Sequence, residues 1–121
     1  MDEAHLLFWE GLSIAEEMGD QYFIAAFLYN LADTALRKQQ FEKASQFLKR
    51  SMSISDQMKI VFMQAWSLML LTRVNLAFGR IPDAAQAMRK AILLSENLSD
   101  ADLNRLMLWV MVMLCASFAK L

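Results

Sequence analysis

The chain repeats itself every forty residues without a gap, and this restricts its fold more than any other feature. Ala4, Ala44 and Ala84 coincide, and Phe8, Leu48 and Met88 follow them. Next come Gly11, Ser51 and Ala91, all small, and Leu12, Met52 and Ile92, all large. In the alternate segments Leu28, Leu68 and Leu108 coincide, as do Leu31, Leu71 and Met111. Met1, Phe41, Ile81 and Leu121 share an apolar position. Such a period marks a stacked array, because one unit cannot bury its own apolar face and needs its neighbours to do so.

Sparse punctuation divides the units into helices. Gly19-Asp20 reads as a C-terminal glycine followed by an N-cap. Lys38-Gln39-Gln40 is a polar break, and Gln57-Met58-Lys59 a weaker one. Gly79 closes the next segment, Pro82 fits the first turn of the one after, and Ser99-Asp100-Ala101-Asp102 resembles a capping box. These breaks predict helices over 3–18, 21–38, 41–57, 60–78, 82–97 and 100–120. Short connections make successive helices antiparallel neighbours. Only three Gly and one Pro leave too few turn formers for an all-β fold, while strong helix formers abound. The expected fold is an all-α, antiparallel helix-hairpin solenoid of about six helices. It forms one domain over 1–121, with units at 1–20 (partial), 21–59, 60–99 and 100–121 (partial).

The segments 28–36 (Leu-Tyr-Asn-Leu-Ala-Asp-Thr-Ala-Leu) and 40–51 (Gln-Phe-Glu-Lys-Ala-Ser-Gln-Phe-Leu-Lys-Arg-Ser) resemble a tetratricopeptide repeat. A second copy runs from Leu68 to Ala91 with Gly79 at its turn. The longer repeat, with phrases such as Glu17-Met-Gly-Asp, is similar to those of large bacterial signalling ATPases and of LuxR-type or maltose-activator-type transcription factors. HEAT and armadillo repeats have a similar period but fit the small-large-small pattern less well.

The resemblance implies that the first helix of each pair lines a concave surface. Ala26, Tyr29, Asn30, Asp33 and Arg37 would lie there, with Trp66, Met69, Leu70, Arg73 and Leu76, and then Leu106, Trp109, Val110 and Met113. Tyr29, Asn30, Asp33, Arg37, Trp66, Met69, Arg73, Trp109 and Met113 are the candidate partner-binding residues. Tyr and Trp anchor interfaces and Met adapts to varied shapes. The competing reading of these aromatics is interhelical packing. Asp33 and Arg73 hold equivalent places in adjacent units, where an ion pair is expected before a ligand contact.

Catalysis has little to stand on. His5 has no Cys or Asp at metal-ligand spacing, and Cys115 lies in an apolar run that suppresses thiol reactivity. Glu16-Glu17 has no basic or metal partner, and there is no Gly-rich phosphate loop. No catalytic residue, metal or cofactor is expected. The net charge of −1 favours neither nucleic acid nor acidic lipid, and the basic stretch from Arg37 to Arg50 reads as a solvated face. A single cysteine suits a reducing compartment. The N-terminus lacks a signal-peptide layout, and the apolar stretch 106–119 falls short of the ~20 residues a membrane helix needs. A cytoplasmic protein is expected.

The last predicted helix is apolar on nearly every side. Leu106, Trp109, Val110, Met113, Leu114 and Phe118 form a candidate self-association face. Each large side chain left in water forgoes ~1.5–3 kcal/mol. Several together rival the ~5–15 kcal/mol stability of a domain. The expectation is a piece of a longer solenoid that, in isolation, pairs as a twofold homodimer. The leading functional expectation is a non-catalytic module that binds a protein or peptide segment, as the repeat arm of a bacterial transcriptional or signalling regulator. The alternatives are a small-molecule effector-sensing arm of such a regulator, or a self-association element.

Overall fold

The computed structural model describes residues 3–96, 98, 99, 101, 104 and 108, and these residues build an all-helical array. In chain order come α1 (Glu3–Met18), α2 (Gln21–Arg37), α3 (Phe41–Met58), α4 (Val61–Ala77) and α5 (Ile81–Ser95). Each lies within two residues of its predicted bounds. The expected sixth helix over 100–120 falls largely outside the described residues.

The four turns between these helices share one design. A residue in the left-handed conformation recurs every twenty positions, at Gly19, Gln39, Lys59 and Gly79, with φ of 69°, 62°, 55° and 74°. At each turn the following amide reaches back five residues: Asp20 to the Ala15 carbonyl, Gln40 to Ala35, Ile60 to Ser55 and Arg80 to Asn75. This bond satisfies a carbonyl that the helix end leaves open. The carbonyl owners Ala15, Ala35, Ser55 and Asn75 are all buried, so every turn is anchored into the core. Asp20 adds a side-chain cap, its Oδ1 accepting from the Phe23 amide at 3.2 Å. Pro82 stands in the first turn of α5, as expected.

Each helix packs on the next, and α2 also touches α4. On the other side α1 meets α3, through an edge-to-face contact of Trp9 on Phe47 and a Glu16–Arg50 ion pair at 3.5 Å, so Glu16, expected to lack a basic partner, has one across the layer. The helices thus alternate between two layers of stacked hairpins. Close approach comes from Ala25, Ala32, Ala35, Ala44 and Ala65, all fully buried. The Ser51 hydroxyl joins α3 to α2 by donating to the Ala25 carbonyl at 2.8 Å. Leu28, Leu31, Leu48 and Leu70 supply the bulk between the layers, each contributing about 1.5–3 kcal/mol by burial. α4 buries apolar residues on several sides because α2, α3 and α5 all pack against it, and its Thr72 hydroxyl is satisfied by the Leu68 carbonyl at 2.8 Å.

Leu70 corrects the expected concave surface. It is fully buried, in a cluster with Tyr29, Ala32, Leu48 and Val74 from α2, α3 and α4. The equivalent residue one unit earlier, Asn30, is only half-buried.

Candidate functional site

α2 and α4 lie side by side and meet through a ladder of paired side chains. Tyr22 faces Phe62 with ring centres 6.5 Å apart, and Tyr29 faces Trp66 at 6.3 Å. The last rung is Arg73 Nη1 donating to Asp33 Oδ1 at 3.2 Å. Asp33 also holds Arg37, one helical turn away, at 3.2 Å. Phe62 packs edge-on against Trp66 at 5.2 Å and fixes the indole plane.

Between the aromatic rungs lies a cavity of about 100 Å³, lined by Tyr22, Ala26, Tyr29, Asn30, Ser51, Met63, Trp66 and Ser67. Tyr and Trp rings form its walls, and Asn30, Ser51 and Ser67 contribute polar groups. The Tyr29 hydroxyl and the Trp66 Nε1 are both shielded from solvent. Burial pushes the Tyr29 phenol far above its ordinary value; Asp33 raises it further, while Arg73 and Arg37 oppose. The phenol is therefore a neutral hydroxyl at any ordinary pH.

The repeat explains why the cavity exists. In the first unit the ring of Phe27 lies over Gly11, so closely that a Cβ at Gly11 would collide with it. One period later the two positions hold Ser67 and Ser51, and the room that the ring takes up in the first unit is left open. Sequence reasoning missed Tyr22, Met63, Ser51 and Ser67. The signal was the change from Phe27 to Ser67 at a position otherwise suited to a large side chain.

Of the predicted partner-binding residues, the ladder brings together Tyr29, Asn30, Asp33, Arg37, Trp66 and Arg73. Tyr29 is a wall rather than a free anchor, at 5% exposure. Met69 is partly buried against the clusters of Ala65 with Met63 and of Leu68 with Ala87, and lines no part of the cavity. Leu76 is exposed, on the last turn of α4. Trp109 and Met113 lie outside the described residues, as do Leu106, Val110, Leu114, Phe118 and Cys115. His5 accepts a hydrogen bond from the Trp9 indole at 3.0 Å. Among the described residues no group of three His, Cys, Asp or Glu could hold a metal ion. No helix among them is long and apolar enough to cross a membrane.

Comparison with protein-family models, with curated proteins and with solved structures finds no match to this chain.

Proposed function

We propose that the chain is a non-catalytic interaction module that grips one large apolar side chain of a partner segment between α2 and α4. The size of the cavity carries this reading. Small-molecule sites usually occupy ~300–1,000 Å³. An apolar cavity of ~150 Å³ takes benzene. About 100 Å³ suits a single side chain, such as a leucine or methionine projecting from a helix or an extended segment. A small effector sensed between the repeats would need several times that volume.

The rim adds a preference. The end of the ladder gathers two guanidinium groups, Arg37 and Arg73, on the carboxylate of Asp33. An acidic residue one turn from the inserted side chain would meet these guanidinium groups. The partner is thus an apolar segment with an acidic neighbour, and no nucleic acid or membrane enters this reading. In this reading the stacked hairpins serve as the repeat arm of a larger bacterial regulator, working in the cytoplasm.

The test is a displayed library of short random peptides selected against the purified chain. Enriched sequences should share a Leu or Met with Asp or Glu three or four positions away. Ser67→Leu, which fills the cavity, should weaken their binding at least tenfold while the helical melt stays cooperative. Enriched peptides that bind Ser67→Leu as tightly as the original chain would overturn the assignment of the site.

A further inference from the structure

The cavity between α2 and α4 holds one buried hydroxyl that the fold does not use. The Ser51 hydroxyl donates to the Ala25 carbonyl at 2.8 Å, that of Ser55 to the Met52 carbonyl at 3.1 Å and that of Thr72 to the Leu68 carbonyl at 2.8 Å. The half-buried Thr34 and Ser95 likewise donate to the carbonyl four residues back, at 2.9 and 2.8 Å. Ser67 is as deeply enclosed, at 1% exposure, yet among the described residues its hydroxyl has no partner. It lies on the cavity wall instead. Buried polar groups are paired in the great majority of cases, so an exception at a cavity points to a ligand.

The other polar groups of the cavity narrow what that ligand must offer. Ser51 has committed its proton to Ala25 and can only accept. Asn30 is half-buried and keeps access to water. Ser67 therefore sets the demand: the occupant must bring an acceptor into a space otherwise walled by Tyr22, Tyr29, Trp66 and Met63. A leucine side chain brings none. Seated there, it would seal the hydroxyl against carbon alone, and a buried donor left unpaired costs more than a formed bond returns. A glutamine would supply the acceptor but would also carry two N–H donors in among aromatic and aliphatic walls. Methionine has the reach, a thioether sulfur that accepts from a hydroxyl, and a polarisable character that suits aromatic neighbours.

We infer that Ser67 selects methionine as the inserted side chain of the partner segment, its hydroxyl donating to the thioether sulfur. The inference rests on the reading of the cavity as a seat for a partner side chain, and it narrows leucine or methionine to methionine. Ser67 stands where the preceding unit has Phe27, so one position both opens the room and sets what enters it.

The test runs the peptide selection on the original chain and on Ser67→Ala in parallel. Alanine removes the hydroxyl, leaves the cavity open and favours the helix, and circular dichroism checks that the fold is kept. The original chain should enrich Met over Leu, and Ser67→Ala should lose that preference. The strongest Met peptide and its norleucine twin, with a methylene in place of the sulfur, are then titrated onto both chains. The original chain should favour the Met peptide by about threefold or more. Ser67→Ala should bind the two alike or favour norleucine. Equal or greater enrichment of Leu by the original chain, with binding still weakened in Ser67→Leu, would overturn the inference and leave the seat standing. A preference for Met over norleucine that survives unchanged in Ser67→Ala would overturn the role given to Ser67. A selection that enriches nothing would overturn the seat and the inference together.

Discussion

Arg73 and Asp33 stand one repeat period apart in sequence and meet at 3.2 Å, so the forty-residue register of the chain becomes an ion pair between neighbouring units. Asp33 is the more enclosed partner, with 18% of its side chain exposed against 35% for Arg73. Its second contact, Arg37, holds the carboxylate in place from the same helix. A double-mutant cycle of Asp33→Asn and Arg73→Gln should give a coupling of about 0.5–1 kcal/mol, since both partners keep some contact with water. The coupling should shrink in 1 M salt, where the screening length is about 3 Å. Chemical denaturation of the four proteins measures it, and additive single effects would show that the pair holds nothing together.

The left-handed turns offer a gain in stability. Gln39 and Lys59 occupy, at φ of 62° and 55°, the conformation that Gly19 and Gly79 adopt at the equivalent turns. A side chain there crowds the following carbonyl at a cost of roughly 1–2 kcal/mol, offset in part by the greater freedom glycine has when unfolded. Gln39→Gly and Lys59→Gly should each stabilise the chain by about 0.5–1 kcal/mol and raise the melting midpoint by a few degrees. The two sites lie in different turns, so their effects should add. A lower midpoint in either variant would contradict the turn geometry.

Gly11 yields a change of sign. In the chain as it stands, Gly11→Ala forces the Phe27 ring to move, and overpacking of this kind costs about 1–3 kcal/mol. That outweighs the gain of about 1 kcal/mol from replacing a mid-helix glycine by alanine. In a Phe27→Ala background the ring is gone and only the propensity gain remains. There Gly11→Ala should stabilise by several tenths of a kcal/mol, measured as a shift of the denaturation midpoint at constant slope. Destabilisation of similar size in both backgrounds would mean that Phe27 is not the obstacle.

Helix limits were readable in the sequence because each break carries a cap or a polar cluster. Even so, Gln39 and Lys59 hid the twenty-residue rule of the turns, since neither residue announces a left-handed conformation. The Asp33–Arg73 pair could be foreseen because both residues carry charge at equivalent positions. The cavity could not be read the same way. It is made by something missing, a serine where the previous unit has Phe27, and residue chemistry alone does not show whether such a gap is filled by a neighbour. Leu70 failed for a related reason: sequence periodicity marks a face of a helix, but only the stacking order shows which face meets an adjoining unit. Trp66, between Tyr29 and Phe62, shows that packing and lining a site are compatible roles for one aromatic side chain.

Tyr29 makes the stability depend on alkaline pH. Its phenol is raised in the folded chain by burial first and by Asp33 second, against the opposing Arg73 and Arg37. A tyrosine in the unfolded chain ionises near pH 10. Because the folded value lies above the unfolded one, the stability linked to the neutral phenol is fully present below about pH 10 and is lost as the pH climbs past it. With Tyr22→Phe, Tyr29 is the sole tyrosine of the chain. In that variant the phenolate absorbance should stay absent until the helical circular dichroism collapses, and the two signals should then rise and fall together. Adding Tyr29→Phe should flatten the loss of stability above pH 10 relative to the single variant. A phenolate signal that appears while the helices remain intact would place the Tyr29 hydroxyl in contact with solvent, and the wall of the cavity would have to be redrawn.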